Sequence, residues 1–114
     1  IKAQLIRLSD QRQVNLILTT GGTGFSERDC TPEATLAVAT RNAPGIAEAI
    51  RAGSMQITRR AMLSREASVI RNQTLIVNLP GSPKAVKECL DLVLDQLDHG
   101  IRILTGRDSE CARK

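Results

Sequence analysis

The chain has 114 residues, 41% of them hydrophobic and 25% charged, with a formal net charge of +4. That length fits one domain over residues 1–114, the balance is not that of a disordered, collagenous or coiled-coil chain, and no apolar run approaches the roughly 20 residues of a membrane-spanning helix. Phe25 is the sole aromatic residue, so modules that stack nucleic-acid bases on aromatic rings do not fit and the core has to be aliphatic.

Residues 2–13 set Leu5, Ile6 and Leu8 among polar side chains, which predicts an amphipathic helix. Val14 to Thr19 is an apolar run of strand length, broken by Gly21, Gly22 and Gly24. A helix is expected from Thr31, which can cap it, with Pro32 at its first position and Glu33 at the positive end of its dipole. Pro44 and Gly45 end that helix or start the next, over 46–52, which Gly53 closes. Residues 54–65 read as irregular. Two strands follow, 67–71 and 74–79, joined at Asn72-Gln73; the second has the continuous apolar character of a buried strand. Pro80-Gly81 ends it, and Ser82 caps a helix in which Ala85, Val86, Cys89, Leu90, Val93, Leu94 and Leu97 recur at helical spacing. The tail after Gly106 is polar and reads as frayed. Strand and helix alternate, which favours an α/β layer fold.

Four segments have the residue types for chemistry. Thr19 to Phe25 follows a strand directly, and its glycines allow close backbone approach while its amides and hydroxyls can cradle an anion; a tight turn that needs glycine only for shape is the plainer reading. Asp29, between that loop and a helix start, suits either a divalent cation held against phosphate oxygens or a helix cap. Asn78 to Pro83 is a second strand-to-helix junction, whose backbone can approach a ligand or simply start the helix. Leu63-Ser64-Arg65, with Arg59 and Arg60 nearby, could reach an anion or lie solvated. Of sixteen basic residues only Lys2, Lys84, Lys87 and Lys114 are lysines, and arginine is the better fork for phosphate. Cys30, Cys89 and Cys111 are odd in number and without C-x-x-C spacing, so neither a disulfide framework nor a zinc site is expected. Reduced thiols in a cytoplasmic protein fit best. His99, the single histidine, cannot support a catalytic triad by itself.

Taken in order, TTGGTGF (Thr19–Phe25), RDCTPEA (Arg28–Ala34), Pro44-Gly45, MLSR (Met62–Arg65) and NLPGSPKA (Asn78–Ala85) resemble the molybdopterin adenylyltransferase family, which includes the bacterial MogA proteins and the G domain of gephyrin. The resemblance runs from about Gln13 to Leu104, and the family usually has valine where Cys30 stands. It implies a three-layer α/β/α sandwich with a mostly parallel sheet, assembled as a homotrimer. It also implies adenylylation of molybdopterin by ATP with Mg2+ and release of pyrophosphate, for a downstream molybdate-insertase domain or protein. Carried over, Asp29 would be the catalytic and metal-holding acid. Thr20, Gly21, Gly22, Thr23, Gly24, Ser64 and Arg65 would face the pterin substrate. Asn78, Pro80, Gly81 and Ser82 would flank the nucleotide. The family's opening strand and a second acidic segment have no counterpart here, so the domain is expected to lack its N-terminal strand, and the chain by itself to be unstable or inactive. The other reading is a non-catalytic trimeric scaffold of the gephyrin type.

Overall fold

A computed structural model describes residues 1–107; the expected frayed tail and Cys111 lie outside the described residues. Helix α1 (Lys2–Ile6) runs on into a wider π-helical turn, Arg7–Gln11. After it come β1 (Leu16–Thr20), α2 (Thr31–Val38), a two-residue strand β2 (Arg41–Asn42) and α3 (Pro44–Met55). A short 3-10 helix (Arg59–Leu63), β3 (Ser68–Arg71), β4 (Thr74–Leu79) and the long α4 (Pro83–Leu104) complete the fold.

The strands form one sheet in the order β1-β4-β3-β2. Every residue of β4 is buried, as its unbroken apolar run predicts. Leu75, Val77 and Leu79 join Ile50 of α3 and Cys89, Val93 and Leu97 of α4 in one core cluster. Ile76 joins Leu5, Ile17, Val38 and Val69 in a second cluster on the opposite face. The period of two along a strand thus divides its side chains between two helical layers, and the α/β sandwich expected from the sequence is the observed one. Its sheet is mixed rather than mostly parallel: β1 pairs with β4 in parallel, but β3 pairs with β4 and β2 with β3 antiparallel. The cause is local. A two-residue connection at Asn72-Gln73 can only reverse the chain, and Asn72 takes the left-handed conformation, φ 53°, that asparagine tolerates.

Other details differ from expectation. Strand β2 consists of two exposed residues, too short to carry a periodic signal. Of the two expected roles, Pro44 and Gly45 start α3, but Gly53 lies inside α3 instead of closing it. A Cβ on Gly53 would stand 2.5 Å from Leu92 Cδ1 of α4, so glycine here lets two helices approach. Thr31 does not cap α2. Cys30 holds that position without a side-chain cap bond, and the Thr31 amide donates to Gly22 O at 3.2 Å. The glycine loop therefore satisfies one of the amides a helix start leaves open. Ser82 caps α4 as expected, accepting from the Ala85 amide.

Candidate functional site

Two loops leave the carboxyl ends of neighbouring parallel strands, Gly21–Cys30 after β1 and Pro80–Ser82 after β4. They meet at glycine. The Gly21 amide donates to Leu79 O at 2.9 Å, and a Cβ on Gly81 would lie 3.5 Å from Gly21 Cα. Gly21 and Gly22 have φ of 84° and 71°, which L side chains rarely adopt. Gly22 is further fixed by crowding, because a Cβ there would stand 2.3 Å from Thr31 Oγ1.

Beside this junction lies a cleft of about 420 Å³, within the range of small-molecule sites. Thr23, Gly24 and Phe25 form one wall, Ile57 to Ser64 another, and Pro80, Ala85 and Cys89 a third; Glu66 also lines it. The rim is apolar and open, with Phe25, Ile57 and Leu63 at 69%, 55% and 49% exposure. A mostly apolar slot with a few polar groups suits a flat heterocycle.

Of the expected site residues, Thr23, Gly24, Ser64 and Pro80 line this cleft, whereas Thr20, Gly21, Gly22, Gly81 and Ser82 do not. Arg65 is not aimed into it. Its Nε donates to Gly24 O and its NH2 to Asp29 O, both at 2.7 Å, and its NH1 pairs with Glu33. Its own amide donates to Thr23 O at 2.8 Å. The guanidinium ties both ends of the loop to α2 and is a positioning group. Asn78, expected to flank the nucleotide, is fully buried. Its Nδ2 donates to Thr19 Oγ1 and Thr35 Oγ1, at 3.0 and 2.9 Å, and its Oδ1 accepts from the Ala67 amide at 3.0 Å. One amide thus joins β4 to β1, α2 and the lead-in to β3.

Asp29 is not among the residues lining the cleft; its Oδ2 accepts from the Ser26 amide at 3.0 Å. A Cβ on Gly24 would stand 2.8 Å from that oxygen, so the carboxylate is packed against the loop and does not cap α2. Among the described residues no group of three or more His, Cys, Asp or Glu could hold a metal by itself. A cation here would need phosphate oxygens or water as further ligands, which is how Mg2+ is commonly held.

Glu66 does not stand out in the sequence. It is only 5% exposed. Strand parity is the signal that finds it: Glu66, Ser68 and Ile70 alternate onto the face covered by α3 and α4, where Ile70 packs against the core. Burial pushes its carboxyl above the ordinary range, partly offset by the Ser64 hydroxyl and the Arg51 charge. Burial likewise raises the Cys89 thiol, so it is no ready nucleophile.

Over residues 1–99 the chain matches the family described as a probable molybdopterin binding domain. It is 42% identical over 106 residues to the molybdopterin adenylyltransferase of Helicobacter pylori strain J99, an overlap covering 93% of this chain and 60% of that protein. To the molybdopterin adenylyltransferase of Escherichia coli K12 it is 52% identical over 105 residues, 89% of this chain and 54% of that one. The crystal structure of the molybdopterin biosynthesis enzyme MoaB from Thermus thermophilus matches with a TM-score of 0.86 and 46% identity, covering 92% of this chain and 66% of that chain. The chain spans 60% and 54% of the lengths of these two curated relatives. No helix among the described residues is long and apolar enough to cross a membrane. With its glycine loop, its sandwich and its cleft matched in this way, the chain belongs to the family of probable molybdopterin-binding domains.

Proposed function

We propose that this chain supplies the pterin-binding part of a molybdopterin adenylyltransferase in molybdenum cofactor biosynthesis. A terminal phosphate oxygen of molybdopterin attacks the α-phosphorus of ATP, pyrophosphate leaves, and the oxygen becomes the bridge of adenylyl-molybdopterin. The observation that carries the reading is the meeting of two strand-end loops at Gly21 and Gly81, next to an apolar cleft of about 420 Å³. The pterin ring is assigned to the cleft, between Phe25, Leu63 and Pro80. The phosphates are assigned to the junction, where Thr20, Thr23 and Ser82 offer hydroxyls and the glycine backbone offers amides. Such a reaction needs alignment and positive potential rather than a covalent nucleophile.

Asp29 is the residue that would hold Mg2+. Its Oδ2 is fixed by the Ser26 amide, and carboxylate oxygen is the donor this hard cation prefers. When bound, the ion would neutralise phosphate charge. The chain's own part is to keep that carboxylate in one place, through Gly24 on one side and Arg65, bonded to Asp29 O, on the other. A cytoplasmic homotrimer that passes its product to a molybdate-insertase domain or protein completes the proposal.

The test is Asp29→Asn in a protein containing this chain, assayed for adenylyl transfer from α-labelled ATP to molybdopterin. Asparagine keeps an oxygen for the Ser26 amide but removes the charge, so turnover should fall by about 10²–10³-fold, the range of an electrostatic group in the transition state. Turnover within about twofold of wild type, far below that range, refutes the catalytic role of Asp29. A wild-type protein that binds molybdopterin but never adenylylates it refutes the enzyme and favours the scaffold.

A further inference from the structure

Glu66 is a carboxylate only 5% exposed to solvent, and it lines the cleft. No ion pair among the described residues reaches it. The cation that acts on it, Arg51, uses its Nε and NH2 on the Ser64 and Glu66 carbonyls, at 3.0 and 2.8 Å. The Ser64 hydroxyl and the Arg51 charge offset only part of the cost of burying its carboxyl, and two carboxylate oxygens have capacity for further donors. Cys89, whose thiol is raised by burial and also by this carboxylate, lines the same cleft; Glu66 also borders a second pocket beside Arg51 and Arg65. A buried carboxylate without a matching donor is costly. A ligand that presents N–H donors inside the cleft would offset that cost.

A pterin ring carries two adjacent donors on one edge, the 2-amino group and N3–H. Two parallel N–H groups facing two carboxylate oxygens make the bidentate arrangement that is strongest among such hydrogen bonds. We propose that Glu66 reads the 2-amino-4-oxo edge of the pterin and is the specificity-determining residue of the cleft. The inference rests on the assignment of the pterin to this cleft, and it adds the edge that is recognised and the atoms that recognise it.

Lumazine is the discriminating probe. It replaces the 2-amino group with a carbonyl oxygen, so its edge offers one acceptor and one donor. The carboxylate can pair with only half of it, whereas a glutamine amide can pair with both. Pterin and lumazine are therefore titrated by fluorescence against wild type, Glu66→Gln and Glu66→Ala, with circular-dichroism melting to verify that each variant is folded. Wild type should prefer pterin by at least about tenfold, since a site built around hydrogen bonds rejects an analogue that leaves them unmade. Glu66→Gln should lose that preference or reverse it, binding lumazine more tightly than wild type does. Glu66→Ala should lose the preference without the gain for lumazine. If wild type discriminates and the folded Glu66→Gln and Glu66→Ala proteins discriminate equally well, Glu66 is not the reader, while the assignment of the cleft to pterin stands. If wild type binds no pterin at all, that assignment falls and the role of Glu66 falls with it.

Discussion

Arg65→Lys should loosen the glycine loop without unfolding the sheet. The guanidinium bridges Gly24 O, Asp29 O and Glu33, three acceptors spread over ten residues of loop and helix. A lysine keeps the charge but has no planar fork, so it can serve one of these acceptors at a time. Two charge-assisted bonds are then lost, each worth roughly 1.5–3 kcal/mol when buried. The side chain is 32% exposed, so water replaces part of the loss, and a net cost of about 2 kcal/mol is reasonable. The bonds break locally, and the cost therefore falls on loop opening more than on global unfolding. A local cost of about 2 kcal/mol raises the open population about 30-fold. Native-state hydrogen exchange reads this at the Asp29 amide, bonded to Ser26 O, and the Thr31 amide, bonded to Gly22 O. Both should exchange roughly 30-fold faster, while amides of β4 change only slightly. Loop amides within about twofold of wild type, against that roughly 30-fold expectation, would refute the clamp and return Arg65 to the role of a direct substrate contact.

Gly22→Ala should cost more than about 2 kcal/mol, since it combines a left-handed backbone penalty with a Cβ placed 2.3 Å from Thr31 Oγ1; a urea midpoint shift equivalent to less than about 0.5 kcal/mol would contradict it. Asn78→Ala breaks three hydrogen bonds at once, one buried and two part-buried, and should lower stability by about 2–4 kcal/mol, read as a melting temperature lower by roughly 10 °C or more; an unchanged melting curve would show that the network is dispensable. Glu66 titrates higher in the folded chain than an ordinary glutamate, because burial disfavours its charged form, so the fold favours the protonated form and its contribution to stability is lost as pH rises through the raised folded value. Glu66→Gln cannot ionise. Its stability relative to wild type should be flat in acid below the ordinary glutamate range and then increase with pH, and urea midpoints from about pH 4 to pH 8, spanning that range, that differ by a constant amount would count against it.

Much of this was legible in the sequence where the physics is local. The glycines that terminate β1, the proline that starts α4 and the unbroken apolar run of β4 each act within a few residues of themselves, and each element formed where its signal stood. Ser82 is a cap in sequence and in structure. Thr31 shows where local reasoning stops. Its hydroxyl is a good cap by residue type, yet the loop folds back so that Gly22 O meets its amide, and no short-range rule contains that fold-back. Gly53 is similar: propensity makes it a helix terminator, but its neighbour is Leu92, on another helix. Arg65 is the strongest case. Its side-chain acceptors lie 32 to 41 residues earlier, so motif reading could identify it as important but not say whether it holds a substrate or the loop.

The two most heavily bonded polar side chains near the site, Arg65 and Asn78, both face protein groups. One ties the glycine loop to α2, and the other ties β4 to β1, α2 and the approach to β3. The groups left for a ligand include backbone amides, hydroxyls, the carboxylate of Asp29 on the loop, and Arg60, Glu66 and Glu88 in the cleft. Backbone groups cannot be replaced by mutation, so their geometry is maintained by the side chains behind them. This division separates two kinds of loss. A change at Asp29 or Glu66 should alter chemistry or specificity without destabilising the protein, whereas a change at Arg65 or Asn78 should weaken binding together with local or global stability. Measuring stability and ligand affinity in the same four variants sorts the residues into these pairs, and a variant of Asn78 that lost affinity at full stability would break the argument.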